Sequence, residues 1–144
     1  MSDITTEPEV HGISDEDLEV IKKLYRAVAG EADLLDEVVT ADWVDLPAPP
    51  DHPPGPDSFK PVIEAFKSIF ADVEVVLHEV IGAPGRAAVR AEIRGTHVGE
   101  WMGVAPTGKR TSFAIHEFHH LKDGRITHSW HLEDLHGWIQ RASE

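Results

Sequence analysis

The segment HSWHLEDLHGW, residues 128 to 138, places His128, His131 and His136 among acids and two tryptophans near the end of a 144-residue chain that has no cysteine. Imidazole titrates close to neutrality, so a histidine beside a carboxylate is equipped to move protons. Six of the ten histidines lie between His116 and His136, and imidazole is also a metal ligand, so a metal centre competes with acid/base chemistry as a reading of this region.

The connection at Asp123-Gly124 decides which of these side chains share a face. A two-residue turn pairs Lys122 with Arg125 and sets odd positions beside even ones. A three-residue connection with a left-handed Gly124 pairs Leu121 with Arg125 and keeps odd beside odd, which sorts the residues better. It gathers Ala114, His116, Phe118, His120, Ile126, His128, Trp130 and Leu132 on one face. The other carries Phe113, Ile115, Glu117, His119, Thr127, Ser129, His131 and Glu133. In that register Ile115 lies opposite His131, and Glu117 opposite Ser129 and diagonal to His131. The second face reads as a pocket lining; the alternative is a polar face that is simply wet. The histidines divide between the two faces and no HExxH spacing is present, so no metal is expected.

The elements that must position these residues follow from periodicity. Residues 1–13 are polar and acidic and are expected to form a flexible tail ahead of one domain, 14–144. Ser14 is a helix N-cap, followed by acids and by Leu18, Ile21, Leu24, Tyr25 and Val28 at helical spacing up to Gly30. A shorter helix is predicted over Ala32 to Val39. The stretch DWVDLPAPPDHPPGP reads as a semi-rigid loop, and Ser58 as the cap of a third helix with Val62, Ile63, Phe66, Ile69 and Phe70 on its buried side. The period then changes to two. VEVVLHEVIG, RAAVRAEIRGTHV, RTSFAIHEFHHLK and RITHSWHLED read as four strands of an antiparallel meander, giving an α+β fold with helices packed on one face of a curved sheet. Asp134 reads as a local cap and His97 as a support for the bend that follows it.

Composition narrows the functions. With 26 acidic and 13 basic residues the formal charge is −13, which opposes association with phosphate backbones and anionic lipid; neither nucleic acid nor a membrane is expected as a partner. No apolar run approaches the length of a membrane span, the start lacks the pattern of a secretory signal, and the missing cysteines fit a reducing cytoplasm.

The segments RGTHVGEWMGVAPTGKR (94 to 110), KDGRI (122 to 126) and WHLEDLHGWI (130 to 139) resemble the SnoaL-like polyketide cyclases and ester cyclases, within the nuclear-transport-factor-2-like group. The resemblance implies a cone whose concave face, closed by the helices, holds a small hydrophobic organic ligand. It also implies cofactor-free enolate chemistry, a cyclase or isomerase reaction on a carbonyl compound. The family's base is an aspartate one position after Trp130, where this chain has His131. The inward glutamine and histidine of the preceding strand correspond to Ile115 and Glu117. On this basis His131 is the candidate general base or acid, Glu117 its orienting neighbour and His119 a second polar wall residue. Trp43, Asp45, Leu46, Trp101, Ile115 and Ser129 are the candidate substrate-binding residues.

Two rival functions remain at this point, an epoxide hydrolase or hydroxylase-like enzyme and a non-catalytic binding or dimerisation module. The first gains if Arg90 and Arg94 face the cavity. The apolar face with His116, Phe118, His120, His128, Trp130 and Leu132 predicts a homodimer joined through the outer sheet surface.

Overall fold

The computed structural model describes residues 7–144, so the first six residues of the expected tail lie outside the described residues. Glu9–His11 form strand β1, parallel to the sheet edge with Glu9 opposite Glu79. Helix α1 spans Asp15–Val28; Ser14 caps it by accepting the Asp17 N–H at 3.1 Å, and Asp15, Glu16 and Asp17 meet the positive end of its dipole. A 14-residue helix is marginal alone in water. What holds α1 is the burial of Ile21, Leu24, Tyr25 and Ala27, with full burial of a large aliphatic side chain contributing about 1.5–3 kcal/mol.

The expected second helix is shorter than its pattern. A 3-10 turn, Ala32–Leu34, leads into α2, Leu35–Val38, and Val39 then opens strand β2, Val39–Leu46. β2 occupies the segment read as the start of a loop. The prolines begin only at Pro47, and an edge strand rich in β-branched and aromatic residues needs hydrogen bonds on one side alone. Helix α3, Pro56–Ile69, starts two residues before the expected Ser58 cap. Gly55 is its N-cap, with φ +96° and its N–H bonded to the Trp43 carbonyl at 2.7 Å; Pro56 follows at the first helical position, where its fixed φ suits the helix. Ser58 instead donates to the Gly55 carbonyl.

Four long strands follow: β3, Phe70–Ala83; β4, Arg86–His97; β5, Arg110–Lys122; and β6, Arg125–Glu133. They form the expected antiparallel meander, and the parallel edge strands β1 and β2 complete a mixed sheet of order β1-β3-β4-β5-β6-β2. Two register shifts in β3 bend it around the helices, and the result is an α+β cone. Asp134 accepts the Gly137 N–H at 3.0 Å and so caps helix α4, Leu135–Ala142, which seats Trp138 in the core.

The β5–β6 hairpin keeps the expected parity by a different device. Its turn has two residues, Asp123 and Gly124, both with positive φ, and pairs Lys122 with Arg125. Thr127 is then an extra residue: Leu121 pairs with Ile126 but His120 pairs with His128. The bulge restores odd beside odd and shifts the pairs two positions from the expected ones. Glu117 faces His131, His119 faces Ser129 and Ile115 faces Glu133. It also turns Ile126 into the core, fully buried, rather than onto the outer face.

Deleting Thr127 removes the bulge and turns either Ile126 or the residues after it to the wrong face. The deletion variant is expected to lose its cooperative thermal transition. A melting temperature within about 2 °C of wild type, well under 1 kcal/mol for a domain of this size, would place the control of register elsewhere.

Candidate active site

Inward positions of β2, β5 and β6 meet α1 and α3 around a cavity of about 270 Å³. Its apolar wall is formed by Leu24, Phe59, Ile63, Phe66, Ile93, Trp101 and Phe113; its polar end by Asp45, Glu117, His119, Ser129, His131 and Glu133. His131, Glu117 and His119 therefore meet in one cavity with Trp43, Asp45, Trp101 and Ser129. Two expected lining residues do not reach it. Leu46 is displaced to the other side by the alternation of β2, where it pairs with Trp130, and Ile115 is 1% exposed and packed into the core.

Trp101 is fixed by a pair of backbone hydrogen bonds with Val104 and by aromatic contacts to Phe66, Phe70, Phe113 and Trp138 at centroid distances of 5.7, 5.2, 5.5 and 4.8 Å. His97, fully buried beside this cluster, accepts the Thr107 N–H through Nδ1 at 3.3 Å and supports the bend after β4. Its Nε2 has no hydrogen-bonding partner.

The polar end holds two separate networks. In the first, the Tyr25 hydroxyl donates to Glu117 Oε1 at 2.6 Å, and the hydroxyl oxygen of Tyr25 lies 2.9 Å from His119 Nε2. Tyr25 has one proton, so His119 Nε2 carries the hydrogen of that second contact. Nδ1 of the neutral ring then accepts from Ser129 Oγ at 2.7 Å, and Ser129 accepts from Trp43 Nε1 at 3.0 Å. Burial pushes His119 down to about 3, which keeps the ring neutral as this pattern requires, and pushes the Tyr25 phenol well above its usual value.

In the second network His131 has Nδ1 2.7 Å from Glu133 Oε2 and Nε2 2.9 Å from the Pro47 carbonyl. Both partners accept, so both ring nitrogens donate and the ring is an imidazolium. The Glu133 hydrogen bond and the nearby Asp45 charge raise it to about 9 against the opposing effect of burial. The sequence predicts Glu117 as the orienting neighbour of His131. The orienting groups are instead Glu133 and Pro47, because Glu117, although opposite His131 on the sheet, is turned to Tyr25.

Desolvation raises the remaining carboxyls. Glu117 is pushed up to about 7, with the Tyr25 hydrogen bond opposing the rise, and Asp45 to about 6, with His131 opposing it. A carboxyl raised toward neutrality opposite a charged imidazolium sets a group able to accept a proton beside a fixed positive charge. Tyr25 and Glu133 were not among the expected site residues. Tyr25 was absorbed into the apolar stripe of α1, and Glu133 was assigned to the inward face without a role. The side chains close enough together to share a cation among the described residues are Glu9, His11 and Glu79, on the β1–β3 edge outside the cavity. Arg90 and Arg94 point away from the cavity and pair with Glu79 and Glu92.

The model of the family described as SnoaL-like polyketide cyclase matches residues 19–141. Aklanonic acid methyl ester cyclase from Streptomyces galilaeus is 34% identical over 93 residues, a match spanning 62% of this chain and 63% of that enzyme. The fold is shared with IdmH from Streptomyces antibioticus, at a TM-score of 0.78 and 26% identity over 89% of this chain and 99% of that one. TsrD from Streptomyces laurentii superimposes with a TM-score of 0.78 at 19% identity, covering 90% of this chain and 96% of its own. With the cone, its pocket and a family match that spans most of the chain, the chain belongs to the SnoaL-like polyketide cyclases.

Proposed function

We propose that this protein is a cofactor-independent cyclase that closes a ring in a small, uncharged, hydrophobic carbonyl compound through an enolate. The observation that carries the reading is the placement, at the polar end of an apolar cavity, of the half-buried Glu117 carboxyl opposite a His131 ring whose two nitrogens are held by Glu133 and the Pro47 carbonyl. Glu117 takes the proton from the carbon next to a substrate carbonyl. The electron pair of that C–H bond moves onto the carbonyl oxygen, whose developing charge the His131 cation stabilises. The enolate carbon then attacks a second carbonyl of the same molecule, forming the C–C bond, and the new alkoxide recovers a proton from Glu117. His131 is thus an electrostatic stabiliser and Glu117 the base, with the nearby Asp45 charge favouring the cation. The name of the Streptomyces galilaeus relative supports a polyketide methyl ester as substrate. The outward direction of Arg90 and Arg94 weighs against epoxide opening, which was to draw on them. Operation in the cytoplasm belongs to the same reading.

The outer face supports a homodimer. Ile81, Phe118 and Leu132 are 47%, 61% and 71% exposed there, and Trp130 clusters with His120, tilted against it at 4.7 Å, and with His128, stacked on it at 6.0 Å. A second copy of the same sheet is the partner proposed to cover them. Light scattering at tens of micromolar, roughly the range that reveals micromolar association, is expected to give a dimer and Leu132→Glu a monomer; a monomeric wild type would refute this.

Turnover of aklanonic acid methyl ester or a related uncharged ester tests the activity. The rate is expected to rise with pH through about 7 as Glu117 ionises and to fall through about 9 as His131 loses its proton. A profile without the acid limb would remove Glu117 from the base role.

Glu117→Gln and His131→Ala should each lower kcat/KM by about 100- to 10,000-fold without unfolding the protein. His131→Asp restores the family's carboxylate but removes the cation, so it is expected to be equally slow. Substantial turnover by that variant would return the base to position 131.

A further inference from the structure

The chain of hydrogen bonds behind Glu117 goes further than the base itself. Trp43, Ser129, His119 and Tyr25 come from β2, β6, β5 and α1, and all four are 1–3% exposed. Each link fixes the next. The Trp43 indole can only donate, so it takes a lone pair of Ser129 and turns the serine proton toward His119 Nδ1. That leaves the histidine hydrogen on Nε2, where it occupies Tyr25 and sends the phenolic proton to Glu117. We propose that Tyr25 is a positioning residue for ring closure, its hydroxyl made a one-way donor to Glu117 by the Trp43-Ser129-His119 relay behind it. This rests on Glu117 being the base.

The relay has a physical purpose. Groups facing Glu117 are Tyr25 from α1, His119 from β5, Asp45 from β2, and His131 and Glu133 from β6. Burial, Asp45 and Glu133 favour the protonated carboxyl, which cannot accept a substrate proton. His131 and the Tyr25 hydrogen bond oppose them, and among the described residues Tyr25 is the one hydrogen-bonded to the carboxylate. A tyrosine free to rotate would spend part of its time as an acceptor; the imidazole behind it removes that alternative.

Carboxyl 13C NMR titration of the unliganded protein tests this without any substrate, with Glu117→Gln identifying the Glu117 signal. Tyr25→Phe keeps the ring and removes the donor. It is expected to increase the proton affinity of Glu117 roughly tenfold or more, the scale of a hydrogen bond to a charged group. Ser129→Ala leaves Tyr25 in place but frees the His119 tautomer, and is expected to shift the same signal in the same direction by less. An unchanged Glu117 titration in Tyr25→Phe would overturn the proposal, and an effect of Tyr25→Phe with none from Ser129→Ala would overturn the relay. Thermal melts of both variants separate these shifts from unfolding. Because the readout is a titration, it stands apart from the cyclase reading, which fails separately if Glu117→Gln retains turnover.

Discussion

One extra residue sets the chemistry of this pocket. Side chains alternate across a strand, so the face presented by everything after Thr127 depends on the bulge at that position. With it, Ile126 enters the core and Ser129, His131 and Glu133 follow on the same side as Glu117 and His119. A strand of the same composition without the bulge would hide its apolar residue or present its polar ones, but not both. The cone's other features, the bent β3 and the two parallel edge strands, close a cavity around side chains whose orientation this hairpin has already decided.

The cavity is unbalanced in charge. Three carboxyls, Asp45, Glu117 and Glu133, share it with one imidazolium, and burial opposes ionisation of the first two. The imbalance holds because the groups are divided. His131 is satisfied by Glu133 and the Pro47 carbonyl, and Glu117 by Tyr25, so each titrates against a different partner. Had Glu117 been the direct partner of His131, the two would have stabilised each other's charged forms and drawn both away from proton transfer near neutrality.

Much of this was legible in the sequence. The change of period after Phe70, the Ser14 cap and the alternation of residues 110 to 133 define the meander and its helices, and the inward carboxylate and imidazoles of the hairpin follow from parity. The exact pairing was not legible, because a three-residue connection and a two-residue turn followed by a bulge give the same parity with registers two residues apart. Strand β2 was hidden by the prolines that follow it, and with it the side to which Leu46 turns. Tyr25 was obscured for another reason: on a helical stripe a buried tyrosine looks like any apolar residue, and both of its hydroxyl partners arrive from strand β5, about ninety positions away. The charge on His131 was equally invisible, since the Glu133 bond that favours it most is a matter of side-chain direction and the Asp45 charge and Pro47 carbonyl that add to it come from a distant stretch of chain.

The apolar wall divides into two parts with different freedom to vary. Trp101, Phe66, Phe70, Phe113 and Trp138 interlock across α3, β3, β5, α4 and the segment between β4 and β5, so changing the shape of one ring disturbs several elements at once. Val62, which borders the same cavity from α3, is 47% exposed and bears no such obligation. Stability thresholds therefore channel divergence: descendants of this chain can acquire new ligand preferences through the exposed flank of α3 long before the aromatic end can be rebuilt.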